Sequence, residues 1–310
     1  MLTCGCAALL GPAAMARPVK VALTFDDLPG LTLSTDQAYV DGINRDLVAG
    51  LRRHHFPATG FVNEGKVDAL QRERQLANLR TWLAAGMDLG NHTYSHASPN
   101  ALGAQAYIAD IVRGEPALRA LLRSRGKRLE WFRHPYLETG SPEAVKDAID
   151  EWLHLHKYRI APVTLEADDW EFALPYDAAR ARGDMAAAAR IRSEYVLHTS
   201  HRIDWYRSAA RALFGHDIAY VMLLHATRLN ADCIDELAAL LSARDMRPVR
   251  LAKALRDPAY RTPDRYAGRD GIEWLQRWSA TLGRPLPWAS FEDPPKDVEE
   301  GYDKLDVDRH

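Results

Sequence analysis

The chain has 310 residues, 47% of them hydrophobic and 26% charged, and a net charge of −2. That suits one large globular domain or one domain with additions, and nothing in it advertises a nucleic-acid or polyanion partner. No apolar run approaches the roughly 20 residues of a transmembrane segment, and Cys4, Cys6 and Cys233 form no CxxC pair, so neither a cysteine zinc site nor a disulfide framework is supported.

The first residues, MLTCGCAALLGPAAMARP, are apolar, small and free of acids. They look like the later part of a secretory signal, with a cleavage-like end at Ala16, so 1–17 is expected to be a signal remnant and the protein exported to the periplasm or medium. Without such a signal it would be cytoplasmic. Short apolar runs then alternate with longer helical patterns. Strands are expected at 19–25, 58–62, 87–91, 129–133, 158–165, 218–224 and 247–251, and helices at about 37–54, 68–85, 103–124, 142–156 and 232–243. Ser141-Pro142-Glu143 reads as a cap residue, a proline and an acid opening a helix. This alternation implies an α/β fold with a mainly parallel sheet and outer helices, open or closed into a barrel. Residues 172–215, Ala/Arg-rich and helical in pattern, interrupt it as an insertion. Residues 256–310, rich in Pro, Trp and Tyr, read as a C-terminal extension wrapping the domain, with eight acids against three Lys/Arg in the last twenty residues.

Chemistry-bearing residues follow one strand after another. Asp26-Asp27 ends the first, His92-Thr93-Tyr94-Ser95-His96 the third, Arg133-His134-Pro135-Tyr136 the fourth, Glu166-Ala167-Asp168-Asp169-Trp170 the fifth and His225 the sixth. In parallel α/β folds the carboxyl ends of strands converge on one face, where sites form. His92 and His96, four apart, would share one side of a helical turn and could grip one metal ion, with a strand-end carboxylate as third ligand. Strand side chains alternate in direction, so Asp26 and Asp27 should differ in role, one on the metal and one facing a metal-activated water. Arg133 is placed to orient the free carboxylate. His225 is either a core histidine or a general acid, with Asp169 as its candidate partner. Tyr136 and Trp170 either line a sugar-sized cleft or pack in the core.

With these residues in this order, the chain resembles the polysaccharide deacetylase (NodB-homology) family, carbohydrate esterase family four. TFDD (24–27), HTYSH (92–96), RHPY (133–136), EADDW (166–170) and LLH (223–225) match or resemble its five motifs, and the resemblance covers about 20–255. It implies a distorted, incomplete (β/α) barrel of about seven strands. It implies Asp26 as base, Asp27, His92 and His96 as ligands of one divalent metal, usually Zn2+, and Arg133 as the tether of Asp26. The backbone N–H of Tyr136 would hold an oxyanion, Asp169 would tune His225 as the acid, and Tyr136, Trp170 and Leu223 would contact substrate. The implied reaction is metal-dependent removal of acetyl groups from N- or O-acetylated carbohydrate. A small-molecule acetyl esterase, a non-acetyl amidase or a catalytically silent carbohydrate-binding protein are the alternatives. Two positions depart from the motifs. Leu28 stands where Gly is common, a bulkier loop beside the base, and Glu166 replaces an Asp.

Overall fold

A computed structural model describes residues 18–306. The export reading rests on residues 1–17 and therefore lies outside the described residues. The elements run β1 (Val19–Leu28), α1 (Gln37–Arg53), β2 (Ala58–Val62), α2 (Glu64–Asp68), α3 (Arg72–Ala84), β3 (Asp88–Asn91), α4 (Pro99–Arg113), α5 (Pro116–Arg123), β4 (Trp131–Phe132), α6 (Glu143–Leu155) and β5 (Arg159–Ile160). They continue with α7 (Asp169–Ala181), α8 (Met185–Phe214), β6 (Tyr220–His225), α9 (Arg228–Asp232), α10 (Ile234–Ala243), β7 (Met246–Pro248), α11 (Leu251–Ala254), α12 (Trp274–Leu282) and α13 (Lys296–Asp303).

The strands form one all-parallel sheet in the order β5-β4-β3-β2-β1-β6, with β7 beside the start of β1. Beyond β5 the chain meets β6 through a single parallel bridge, Leu165 to Met222. The result is the parallel sheet expected from the alternation of strands and helices, curved into the incomplete (β/α) barrel that the family resemblance implies. β1 lies inside it, and from Val21 onward it is buried on both faces, as a near-continuous apolar run allows. Helix α1 shows how the outer layer attaches. Asp36 caps it by accepting a hydrogen bond from Ala38 N at 2.9 Å, and Val40, Ile43, Leu47 and Leu51 form its buried stripe.

Several boundaries differ from the sequence expectation. The helix expected at 68–85 is α3, which starts only at Arg72 after the short α2 ends at Asp68, and that expected at 103–124 divides at Gly114 into α4 and α5. The strands expected at 129–133 and 158–165 shrink to two residues each, because their flanks turn away to form site loops. Ser141 is not the cap of α6: the helix starts at Glu143, Pro142 occupies the cap position, and the Ser141–Pro142 bond is cis. The segment 172–215 is a helical pair. Its first helix, α7, already begins at Asp169, so the segment grows directly out of the fifth strand's site loop.

Candidate active site

The two adjacent carboxylates reach the same place, contrary to simple strand alternation. The register of β1 against β2 shifts between Phe25 and Leu28, and Asp27 takes a left-handed backbone with φ 64°. This bulge re-aims the second carboxylate. Asp26 Oδ2 lies 3.7 Å from His92 Nε2, and Asp27 Oδ1 lies 3.9 Å from the same nitrogen. Both acids are buried, as are the atoms Asp26 Oδ1 and Asp27 Oδ1, which have no hydrogen-bond partner.

His92 and His96 do not lie on a helical turn, as their spacing suggested. They sit on an irregular loop after β3, in which Thr93 (φ 65°) and His96 (φ 58°) are left-handed. The loop is pinned from within: Asn91 Oδ1 accepts from Thr93 N at 2.7 Å, and Thr93 Oγ1 from His96 N at 3.0 Å. Helix α4 holds it from outside through Asp110, whose carboxylate accepts from Ser95 N and Ser95 Oγ. Gly114 permits the close approach, since a Cβ there would meet the Thr93 carbonyl carbon at 2.8 Å. The imidazole centroids end up 4.9 Å apart.

His92 Nδ1 donates to the Arg133 carbonyl at 2.8 Å, which leaves the Nε2 lone pair facing Asp27. Burial keeps this imidazole neutral, its pKa well below the usual range. His96 Nε2 lies 3.6 Å from Asp27 Oδ1, and the donor atoms of Asp27, His92 and His96 all fall within 4.8 Å of one another. Two imidazoles and a carboxylate at this spacing fit one divalent cation, for which ligand atoms about 2.0–2.2 Å from the ion are usual. Asp27 stays ionised. Burial would raise its pKa, but the Lys66 ammonium, the largest opposing influence, holds it far below the ordinary value. Lys66, on α2, is 3.3 Å from Asp27 Oδ2 and was not foreseen from sequence.

Arg133, fully buried inside the barrel, has a partner for each nitrogen. Nη1 donates to Asp26 Oδ2 at 3.1 Å, Nη2 to Thr24 Oγ1 at 2.9 Å and Nε to the Ala161 carbonyl at 2.8 Å. Burial nonetheless raises Asp26 from 3.8 to about 6, with Arg133 and His225 opposing the rise. Across from it, His225 Nδ1 meets Asp169 Oδ1 at 2.9 Å, while Asp169 Oδ2 accepts from the His225 backbone N–H at 2.7 Å and from Asn230 Nδ2 at 2.5 Å. Burial opposes protonation of His225, but Asp169 outweighs it and lifts the pKa from 6.5 to about 9. The two groups thus favour opposite states at neutral pH, a carboxylate and an imidazolium.

Tyr136 sits in a short 3-10 turn, left-handed at φ 55°, with its ring 4.4 Å from that of His96. The C-terminal segment braces this turn. Arg277, fully buried on α12, donates from Nη2 to the Leu137 carbonyl at 2.6 Å and from Nη1 to Thr139 Oγ1 at 3.1 Å. Gly271 crosses the turn so closely that a Cβ would lie 1.6 Å from the Tyr136 carbonyl oxygen. Trp170 Nε1 donates to Glu166 Oε1 at 3.0 Å, and its ring stands edge-on to Tyr302 of α13 at 4.7 Å. Leu223 is 5% exposed and belongs mainly to the core. Leu28 does not form a bulky loop beside the base. It is fully buried, and its side chain lies over Gly60, where a Cβ would come within 2.6 Å of Leu28 Cδ2.

Sequence reasoning also missed His198 and Arg202, which grip Asp168. The signal was present: they fall on the buried stripe of α8 with Ile191, Tyr195, Tyr206, Ala209 and Leu213, at helical spacing where an apolar residue is the norm.

Residues 15–151 match the family model for polysaccharide deacetylase, a span that includes the first three motifs. No curated protein shows a significant sequence match. Among solved structures, a polysaccharide deacetylase from Bacillus cereus shares the fold with a TM-score of 0.52 and 17% identity, over 76% of this chain and 92% of that one. A family 4 carbohydrate esterase from Streptomyces lividans, solved in complex with acetate, aligns with a TM-score of 0.51 and 19% identity, over 77% and 97%. A pseudoenzyme of the same esterase family from Bacillus anthracis aligns with a TM-score of 0.52 and 15% identity, over 79% and 70%. The chain thus matches the polysaccharide deacetylase model over residues 15–151, and over about three quarters of its length it shares the fold of the solved deacetylase and esterase.

Proposed function

We propose that the protein is a metal-dependent hydrolase that removes acetyl groups from N- or O-acetylated carbohydrate. The observation that carries this reading is the pairing of a tethered carboxylate, Asp26, with a carboxylate-backed imidazole, His225, on β-strands in direct register, beside the Asp27, His92 and His96 donors. A carbohydrate-binding protein needs neither group, and this favours an enzyme over a silent relative like the pseudoenzyme of the same fold.

Asp27, His92 and His96 would hold one divalent cation, zinc by the donor chemistry, which would supply Lewis acidity and lower the pKa of a water beside it to roughly 7. Asp26, ionised at neutral pH, takes the proton of the attacking water. Arg133 fixes the direction from which it does so. The Tyr136 backbone N–H faces the oxygen that gains charge as the acetyl carbonyl is attacked. His225 gives its proton to the departing amine or alkoxide, and Asp169 keeps the imidazole charged and oriented until then. The products are acetate and the free amine or hydroxyl. In this reading Tyr136 and Trp170 are the sugar contacts, Tyr136 supported by its ring against His96. The catalytic unit is taken as 18–255 with the helical pair inside it, followed by the extension from 256.

The test is acetate release from acetylated chito-oligosaccharides, peptidoglycan and aryl acetates, with and without a chelator. Asp26→Asn is expected to abolish turnover while cation uptake persists, and Asp27→Ala or His92→Ala to lose the cation. Near-native acetate release by Asp26→Asn would remove the assigned base. We further propose export, with cleavage after Ala16. Mass spectrometry of the mature N-terminus checks it, and an intact residue 1 would refute it.

A further inference from the structure

The helical pair α7–α8 is joined to the candidate site through one residue. Asp168 precedes Asp169, the partner of His225, and occupies the N-cap position of α7. A cap residue normally has extended backbone and turns its side chain onto the helix's first N–H groups. Asp168 does neither. Its backbone is left-handed, φ 50° and ψ 31°, and its side chain makes no capping bond. The carboxylate is instead drawn away by two residues one turn apart on α8. His198 Nε2 lies 2.8 Å from Oδ2, and Arg202 Nη2 lies 3.0 Å from Oδ2 and 3.2 Å from Oδ1. Arg202 Nε also donates to the Glu166 carbonyl at 3.4 Å, so the guanidinium spans both ends of the 166–168 loop.

An isolated left-handed aspartate costs backbone energy and persists only where its surroundings hold it. Here α8 does the holding. All four residues in the chain of contacts, Arg202, His198, Asp168 and Asp169, are buried. The carboxylate of Asp169 has little freedom of its own, because it meets the His225 ring, the His225 backbone and Asn230 at once. Those three contacts are met together only if the 168–169 peptide leaves the loop in one direction, which the left-handed turn at Asp168 sets.

We propose that His198 and Arg202 are positioning residues for His225: by clamping Asp168 they set the turn that aims Asp169 at the imidazole. This rests on the proposed role of His225 as the acid. It gives the helical pair a task in the chemistry beyond covering the barrel.

The experiment compares wild type with Arg202→Met, Arg202→Lys and His198→Gln on two substrates. One is an acetamido sugar, whose amine leaves only when protonated. The other is an aryl acetate, whose phenolate leaves unaided. A displaced acid slows the first and spares the second. Arg202→Met is expected to lower kcat for the amide about tenfold or more, a misplaced general acid being worth roughly 10²–10⁴-fold at the limit. It is expected to leave aryl acetate turnover within about twofold, with Lys restoring part of the amide rate. Equal loss on both substrates would overturn the proposal. A second readout needs no turnover. In chelator-treated protein the Nδ1 proton of His225, assigned by its absence in His225→Gln, should shift or broaden in Arg202→Met and in His198→Gln. An unchanged resonance in both variants refutes the positioning role, even if the wild type proves to release no acetate.

Discussion

Replacing Arg133 with Met separates the electrostatic work of this residue from its packing. The guanidinium is fully buried and donates to Asp26, Thr24 and the Ala161 carbonyl. Met fills part of the volume and supplies no donor, so the Ala161 carbonyl loses its partner, at about 1–3 kcal/mol independent of pH. Asp26 adds a second, pH-dependent part. Its carboxyl already sits at about 6 against 3.8 in the open chain. The sign follows from the raised value: ionisation of the buried acid costs the folded state stability, and the cost appears as pH rises. Without the guanidinium the pKa rises further, and an acid raised past the ambient pH simply keeps its proton. At pH 7 the added penalty is then capped at the one unit between 6 and 7, about 1.4 kcal/mol. At pH 5 the acid is largely protonated in both proteins and the added penalty is nearly gone. The expected destabilisation is therefore about 2–4 kcal/mol at pH 7 and about 1–3 kcal/mol at pH 5, or roughly 5–15 °C in Tm at pH 7 at about 2–4 °C per kcal/mol. Thermal and urea unfolding in chelator, at the two pH values, measures it without any contribution from a bound cation. A penalty equal at both pH values would refute the assigned charge coupling, and one below about 1 kcal/mol would refute the whole account. In the active protein the ascending limb of the rate profile should move to higher pH.

Asp169→Asn removes the group that lifts His225 to about 9, so the descending limb of kcat/KM against pH should fall toward 6.5 or below; the stabilisation His225 contributes, complete below about 6.5 and lost through 9, should vanish with it, narrowing the stability gap to wild type between pH 7 and 10. Gly271→Ala pushes a Cβ into the Tyr136 carbonyl, so it should displace that turn, lowering turnover at least severalfold while cation binding, read by calorimetry, stays near wild type. Leu28→Ala should cost about 2–5 kcal/mol in unfolding experiments, as a buried Leu truncation does, and leave the order of preference among acetylated substrates unchanged; a changed order would return Leu28 to the cleft.

Strand-end placement made much of the site legible. A parallel sheet delivers the carboxyl ends of its strands to one face, so Asp26, His92, Arg133, Asp169 and His225 could be read as neighbours without knowing a single angle. What escaped was set by local backbone. The bulge at Asp27, the left-handed Thr93 and His96 and the left-handed Asp168 carry no periodic signature, because each is set by particular side-chain contacts, local at Thr93 and His96 and distant at Asp168. Alternation along β1 therefore separated two carboxylates that the bulge reunites. The i,i+4 spacing of His92 and His96 brought the right pair together by the wrong geometry. Leu28 looked like an intruder in a loop because the sequence does not reveal that Gly60 leaves room for it on the neighbouring strand.

The two segments that interrupt or follow the strand–helix alternation share one physical feature. Each meets the barrel at a site loop with a left-handed, non-glycine residue. Arg277 and Gly271 of the C-terminal segment bear on the loop of Tyr136, and His198 and Arg202 of α8 bear on the loop of Asp168. Strained backbone persists only where its surroundings over-determine it, so these segments act as scaffolding for the site. The change at Glu166 fits the same logic. Burial, Asp168 and Glu273, the last just before α12, push its carboxyl well above the ordinary range. The side chain thus feels the charge of the C-terminal segment, while Trp170 donates to it from α7. An Asp at 166 would be one methylene shorter and would draw back from Trp170 Nε1. Glu166→Asp should therefore loosen the packing of the fifth strand's loop against Trp170 and the C-terminal segment.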